Sequence, residues 1–194
     1  MSTKKKIFKE LRNLGITIVL LAILYFTGWH TTVIGTLQRG VLYTGLMNPD
    51  LDTLATPAST ADYDFQLQNM DGELLDFQSL KGKTIFMNFW ATWCPPCIAE
   101  MPSIHQLYQK LETQENIVFV MLSVDEDSEK LRKFLANKAY DFPVYQLTSP
   151  LPAIYQSNSI PTTFVISPEG KVVLKHEKMA DYSTEKFYNY LKDL

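Results

Sequence analysis

The chain has 194 residues, 46% of them hydrophobic and 20% charged, with a formal net charge of −3 at pH 7. That is an ordinary globular composition, enough for one domain with a real core, and without a basic stripe interleaved with aromatics it sets nucleic acid aside as a partner. The near-neutral total hides an asymmetry. Residues 1–12 carry Lys4, Lys5, Lys6, Lys9 and Arg12 against Glu10 alone, whereas beyond Pro49 there are 12 basic and 20 acidic side chains, a net −8.

From Leu14 to Trp29 the chain is almost entirely apolar, and with His30–Ile34 the stretch reaches 21 residues. A spanning helix needs about 20. The positive flank precedes it and only Arg39 follows closely, which makes residues 1–13 a cytoplasmic tail. A cleaved signal peptide would have a shorter apolar core ending in small residues. Here the run ends in Tyr25-Phe26-Thr27-Gly28-Trp29-His30, an interfacial aromatic belt. The sequence therefore predicts an uncleaved transmembrane anchor over 14–34, with the lipid bilayer as its partner. Residues 35–62 read as a membrane-proximal stalk and linker. Within them 36–48 are semi-apolar and either lie along the membrane surface or form a stalk; Asn48-Pro49 breaks whatever precedes. Residues 50–62, rich in Asp, Thr, Ala and Ser, lead into a domain over 63–194.

Tyr63–Leu67 alternates and meets Asn69-Met70-Asp71-Gly72, a hairpin signal, with Glu73–Phe77 as the return strand. Lys81-Gly82-Lys83 turns the chain into the apolar run Thr84–Trp90, the predicted central strand. Cys94-Pro95-Pro96-Cys97 follows at a helix start, and these are the only cysteines. Two thiols two residues apart can close a small disulfide ring and reopen it. Cys94, at the helix N-terminus, is the attacking thiolate, and Cys97 resolves the mixed species. Pro95 suits the first helical position, where a missing N–H costs nothing. Zinc would need two more ligands, and His30, His105 and His176 are scattered. A structural disulfide closing so short a ring would do little to the unfolded chain. Neither Pro95 nor Pro96 has an N–H, and the nearest cationic or imidazole side chains in sequence are Lys83 and His105. The thiolate is thus only modestly favoured, which points to a reductase rather than an oxidase.

Cys97 to about Glu112 shows helical spacing in Met101, Ile104, Leu107, Tyr108 and Leu111, with Pro102 inside. Ile117–Val124 is a second buried strand. The acidic cluster Asp125-Glu126-Asp127 is read as favourable charge at the start of a helix over Ser128–Lys138 rather than as a metal site. Pro143–Leu147 is a short strand and Leu151–Gln156 a helical turn or two. Thr162–Ser167 and Lys171–Glu177 form a hairpin through Pro168-Glu169-Gly170. Ser183–Leu194 is a closing helix with Ser183 as its cap.

Asn88-Phe89-Trp90-Ala91-Thr92-Trp93-Cys94-Pro95-Pro96-Cys97, together with Ile160-Pro161-Thr162, resembles the active-site segments of thioredoxin-like proteins. It is most similar to membrane-anchored thiol–disulfide oxidoreductases of the TlpA/ResA type, which include reductases of cytochrome c maturation. The similarity runs from about Asp64 to the C-terminus. It implies an α/β thioredoxin-like fold, a central mixed β-sheet flanked by helices with an extra N-terminal β-hairpin, here preceded by one transmembrane helix. It also implies a cis Pro161, with the backbone at Ile160 pairing with the substrate chain and Trp93 walling the site. Glu100 stands one turn after Cys97, and related reductases carry an acid there that assists proton transfer to the resolving thiol. Burial would raise its pKa toward the thiols; an exposed helix glutamate is the other reading. The chain departs from the pattern twice: Asn88 replaces the aspartate of ordinary thioredoxins, and Ser157 stands where an aliphatic residue is usual.

The expectation is a single-pass enzyme on the outer face of a bacterial cytoplasmic membrane. It would reduce protein disulfides with Cys94, Cys97, Glu100 and Pro161 as catalytic residues, and bind substrate through Trp93, Ile160 and Pro161. No cofactor or metal is called for. Its partners would be a disulfide-containing protein, for which apocytochrome c is a family-implied candidate, and a membrane thiol electron donor. A peroxiredoxin would have Thr three residues before its reactive Cys, where this chain has Ala91. A copper-delivery protein would use two thiolates and a distant histidine, but such carriers usually space their cysteines wider.

Overall fold

In the computed structural model, which describes residues 2–26, 29–42, 49 and 59–194, the sheet is built outward from the strand Thr84–Trp90, every residue of which is buried. Numbered along the chain, the strands are β1 (Ser59–Thr60), β2 (Gln66–Asn69), β3 (Leu74–Asp76), β4 (Thr84–Trp90), β5 (Ile117–Ser123), β6 (Val144–Leu147), β7 (Thr162–Ile166) and β8 (Lys171–His176). Their spatial order is β1-β8-β7-β4-β5-β6-β2-β3. β4 runs parallel to β5 and antiparallel to β7, so the sheet is mixed as predicted. The hairpin β2–β3 extends the edge at β6, and Gly72 supplies the positive φ of 91° that its turn requires.

β4 serves two cores because successive side chains leave opposite faces of a strand. Phe86 and Trp90 point to one side, where Met101, Ile104 and Leu107 of α3 (Pro95–Leu111) and Phe187 and Leu191 of α5 (Glu185–Lys192) meet them. Ile85, Met87 and Phe89 point to the other side and pack with Phe65, Phe77 and Tyr155. That alternation also places Asn88 on the α3 side, beside Phe86 and Trp90. Between β5 and β6 lies α4 (Ser128–Ala136).

The elements predicted beyond residue 63 are present with local differences; the first strand, expected over Tyr63–Leu67, spans Gln66–Asn69. Ser59 and Thr60, read as linker, form an edge strand against Val172 and Lys171. The closing helix is capped by Thr184, whose Oγ1 accepts the Phe187 N–H at 3.3 Å, and not by Ser183. The Ser183 hydroxyl is engaged elsewhere, donating to Asp181 at 2.6 Å.

Of the helix expected over 14–34, residues 14–26 belong to α1 (Ser2–Phe26) and residues 29–34 to α2 (Trp29–Leu42), with residues 27 and 28 outside the described part. Among the described residues no helix is long and apolar enough to cross a membrane. Residues 35–42 of the expected stalk belong to α2, which packs along α3; residues 43–48 and 50–58 lie outside the described part.

Candidate active site

The reactive segment begins where β4 ends. The Cys94 N–H donates to the Ala91 carbonyl at 3.2 Å, closing a turn, and Cys94 becomes the N-cap of α3. Of the first three helical positions, Pro95 and Pro96 have no N–H to offer. The remaining one, Cys97, directs its N–H at the Cys94 Sγ from 3.3 Å, and the Ile98 N–H closes the first helical bond to the Cys94 carbonyl. The two cysteines form a disulfide with Cα atoms 5.3 Å apart. Cys94 retains 4% exposure and Cys97 none, the order expected for an attacking and a resolving thiol. Trp93, 53% exposed, stands at the rim, while Trp90 is wholly in the core.

The turn before Cys94 is held from β5. Trp90 lies opposite Ser123 in the parallel register, so the residues just past both strand ends are neighbours. The Asp125 carboxylate accepts the Thr92 N–H at 2.8 Å, the Thr92 hydroxyl at 2.6 Å and the Ser123 hydroxyl at 2.9 Å. The acidic cluster therefore has two jobs. Asp127 caps α4 through the Glu129 and Lys130 N–H groups, at the helix start where the sequence reading placed favourable charge. Asp125 instead clamps the active-site turn, a role missed by sequence reasoning. Its signal was an acid just past a buried strand, with Thr92 two residues before the first cysteine.

The loop before β7 reaches the same place. Ile160–Pro161 is a cis peptide, in agreement with the resemblance, and the Ile160 carbonyl oxygen lies 3.8 Å from the Cys94 Sγ. Ser157 holds this loop, with its Oγ 2.8 Å from the Thr162 hydroxyl, 3.0 Å from the Ser159 carbonyl and 3.0 Å from Glu177. A hydroxyl thus does by hydrogen bonding what an aliphatic residue would do by packing. Beside the loop runs a cleft of about 540 Å³, walled by Phe89, Leu122, Val124 and Leu151, with Asp125 and Ile160 among its lining.

Glu100 lies one turn beyond Cys97 and is fully buried, not the exposed glutamate of the alternative reading. Its Oε1 accepts the Asn88 amide at 2.8 Å and its Oε2 accepts the Ala180 N–H at 3.2 Å. Burial pushes its pKa up to about 8, against the opposing pull of those two donors. Asn88 also donates to the Thr163 hydroxyl at 2.9 Å, which accepts from Tyr182 at 2.7 Å. Asn88, at the strand position where ordinary thioredoxins carry an aspartate, orients the acid that α3 supplies. Thr163, Ala180 and Tyr182 complete a network that local sequence could not reveal, since they lie 63–82 residues from Glu100. Cys94, Cys97, Glu100, Pro161, Ile160 and Trp93 all lie at one end of β4, gathered by α3 and the loop into β7.

The sequence profile of the Redoxin family matches residues 56–192. A Bacillus thuringiensis (strain Al Hakam) protein described as thiol-disulfide oxidoreductase ResA is 31% identical over 131 residues, covering 67% of this chain and 74% of that one. A Halalkalibacterium halodurans protein of the same description is 27% identical over 164 residues, covering 83% and 92%. Among solved structures, a thiol:disulfide interchange protein of the thioredoxin family from Chlorobium tepidum TLS is similar with a TM-score of 0.56 at 26% identity, covering 70% of this chain and 97% of that one.

Proposed function

The chain belongs to the Redoxin family and is a thiol–disulfide oxidoreductase related to the ResA type, and from that premise we propose that it reduces protein disulfides outside the cytoplasm while tethered through residues 14–34. In this reading residues 1–13 are the cytoplasmic tail, 35–62 join the anchor to the domain, and 63–194 carry the chemistry. One observation carries the direction of flow. The Cys94 sulfur has the Cys97 N–H as its helical donor, and two prolines occupy the positions that would supply others. A thiolate so sparsely supported makes the dithiol a better electron donor than acceptor. The tether is supported by the basic head before Leu14.

The cycle balances as a two-electron exchange. The Cys94 thiolate attacks one sulfur of the substrate disulfide and expels the other as a thiolate, which takes a proton from water. Cys97 then surrenders its proton toward the Glu100 carboxylate and attacks the Cys94 sulfur. The second substrate thiol leaves, and the Cys94–Cys97 disulfide remains. Pro161 and Ile160 hold the substrate backbone against Cys94, with Trp93 at the rim. A membrane thiol donor returns two electrons and two protons; a disulfide of an apocytochrome c is the candidate substrate.

The test is Cys97→Ala in the native cell. It is expected to accumulate extracytoplasmic proteins disulfide-linked to Cys94, whereas Cys94→Ala accumulates none. Equal trapping by both variants, or trapping of cytoplasmic proteins alone, contradicts the proposal.

A further inference from the structure

The loop that carries Ile160 is tied to the end of β8 by side chains that the thiol exchange itself does not use. β8 ends at His176, which pairs with Thr163 of β7, so Glu177 leaves the sheet beside the loop that enters β7. Its Oε1 accepts the Lys175 ammonium at 2.9 Å and the Ser157 hydroxyl at 3.0 Å. Lys175 also donates to the Gln156 carbonyl at 3.3 Å. The two donors hold the Glu177 carboxyl below the usual carboxylate range, so it carries its charge at neutral pH. Two consecutive loop residues, Gln156 and Ser157, are thus gripped from the end of β8.

The protons available decide what this grip contributes. The Thr162 hydroxyl donates to the Ser159 carbonyl at 2.7 Å, which leaves the single Ser157 proton for the Glu177 carboxylate, the stronger acceptor. Without that carboxylate the Ser157 hydroxyl, 3.0 Å from the Ser159 carbonyl and 2.8 Å from the Thr162 hydroxyl, still finds an acceptor inside the loop. Its proton is not orphaned; the tie between loop and sheet is what disappears. Lys175 and Glu177 are also nearly half exposed, and an exposed ion pair adds little to stability. The pair is poorly placed to support the fold and well placed to fix one loop.

That loop reaches the reacting sulfur and the cleft beside it. The Ile160 carbonyl oxygen lies 3.8 Å from the Cys94 Sγ, and residues 156–160 form one wall of the cleft of about 540 Å³. Resting on the reductase reading above, we propose that Glu177, backed by Lys175, is a positioning residue that selects for polypeptide disulfides. Through Ser157 it fixes the loop so that the Ile160 backbone and the cleft wall meet the substrate chain in register with Cys94. A small disulfide with no chain on either side has nothing to pair with there and is indifferent to the tie.

The reduced full chain in detergent micelles is mixed with excess insulin at increasing concentration, and loss of its thiols is followed by acid quenching and alkylation. Backbone pairing is made before and during the exchange alike, so its loss falls on affinity rather than on the limiting rate. Glu177→Ala is expected to raise the half-saturating insulin concentration about tenfold. The limiting rate, the midpoint of urea unfolding and the rate with the small disulfide dithiobis(nitrobenzoate) are expected to stay unchanged. Glu177→Gln, which keeps an oxygen for the Ser157 hydroxyl, is expected to restore most of the affinity. In a Ser157→Ala background, where that hydroxyl is gone, Glu177→Ala is expected to lose most of its effect. An unchanged half-saturation in Glu177→Ala, an equal loss with both disulfides, no rescue by Glu177→Gln, or the full effect persisting in the Ser157→Ala background overturns the positioning role and leaves the reductase reading standing. A wild-type chain that insulin does not oxidise overturns both.

Discussion

At the scale of single residues, Glu100 and Asp125 are two buried acids put to different uses. The pKa of Glu100 is about 8, near the ordinary thiol value of about 8.5, so it can give a proton to Cys97 or take one at little cost. We expect Glu100→Gln to slow the resolving step about 10-fold or more, read by single-turnover kinetics across pH 6–9. An unaltered rate would leave the acid without a catalytic role. The same substitution has a stability signature. The folded pKa is raised above the ordinary carboxyl value of 4.5, so the proton stabilises the fold fully below that value, and the contribution is lost as pH rises through about 8. The wild type should therefore weaken across that window by at most about 1.4 kcal/mol per pH unit, and Glu100→Gln should flatten the slope. Urea unfolding at several pH values measures it. Asp125, by contrast, satisfies donors that have no substitute. Asp125→Ala leaves the Thr92 N–H and two hydroxyls without their acceptor. We expect a loss of about 2 kcal/mol or more in chemical denaturation, together with slower exchange at Cys94. Glu126→Ala, at an exposed neighbouring position, is the control and should change neither quantity.

At the scale of elements, the start of α3 sets the redox character, and the periodic patterns that build the site were legible in the sequence. The continuous apolar run Thr84–Trp90 reflects burial on both faces of the strand, and the spacing of Met101, Ile104, Leu107 and Leu111 burial on one face of a helix, patterns that local sequence records. The bond between Asp125 and Thr92 was not legible, because it exists only once β5 lies in register beside β4. Nor was the pairing of Ser59–Thr60 with β8, which joins segments more than a hundred residues apart. Ser183 and Thr184 are both competent caps, and only the path of the chain decides between adjacent hydroxyls. The α3 start yields a sharper prediction. Replacing Pro96 by His restores an N–H at the second helical position and adds an imidazole near the thiolate. We expect Pro96→His to lower the Cys94 pKa and raise the reduction potential, away from roughly −270 mV and toward roughly −120 mV. Ultraviolet thiolate titration and equilibration with glutathione give both values. A wild-type Cys94 pKa below about 5 would sink the assignment as a reductase.

At the scale of the whole molecule, charge and apolarity are segregated along the chain in a way that orients it. The head up to Arg12 is basic, the run from Leu14 to Phe26 contains no charged residue, and everything beyond Pro49 is net acidic. Basic residues flanking an apolar segment are retained in the cytoplasm, while acidic side chains have little influence on translocation. On the proposed topology, the head would fix the inner end and leave the acidic domain free to cross. A redox pair outside the cytoplasm also meets substrates whose disulfides persist, whereas cytoplasmic thiol pools would hold such bonds reduced. The arrangement can be read with a reporter that itself needs disulfides. Alkaline phosphatase fused after Asp62 is expected to be active, because it would emerge where its own disulfides form. The same enzyme fused after Asn13 is expected to stay inactive, having the basic head but no apolar segment to carry it out. A fusion after Asp62 that is stably produced yet inactive would place residues 63–194 on the cytoplasmic side and remove the proposed substrates from reach.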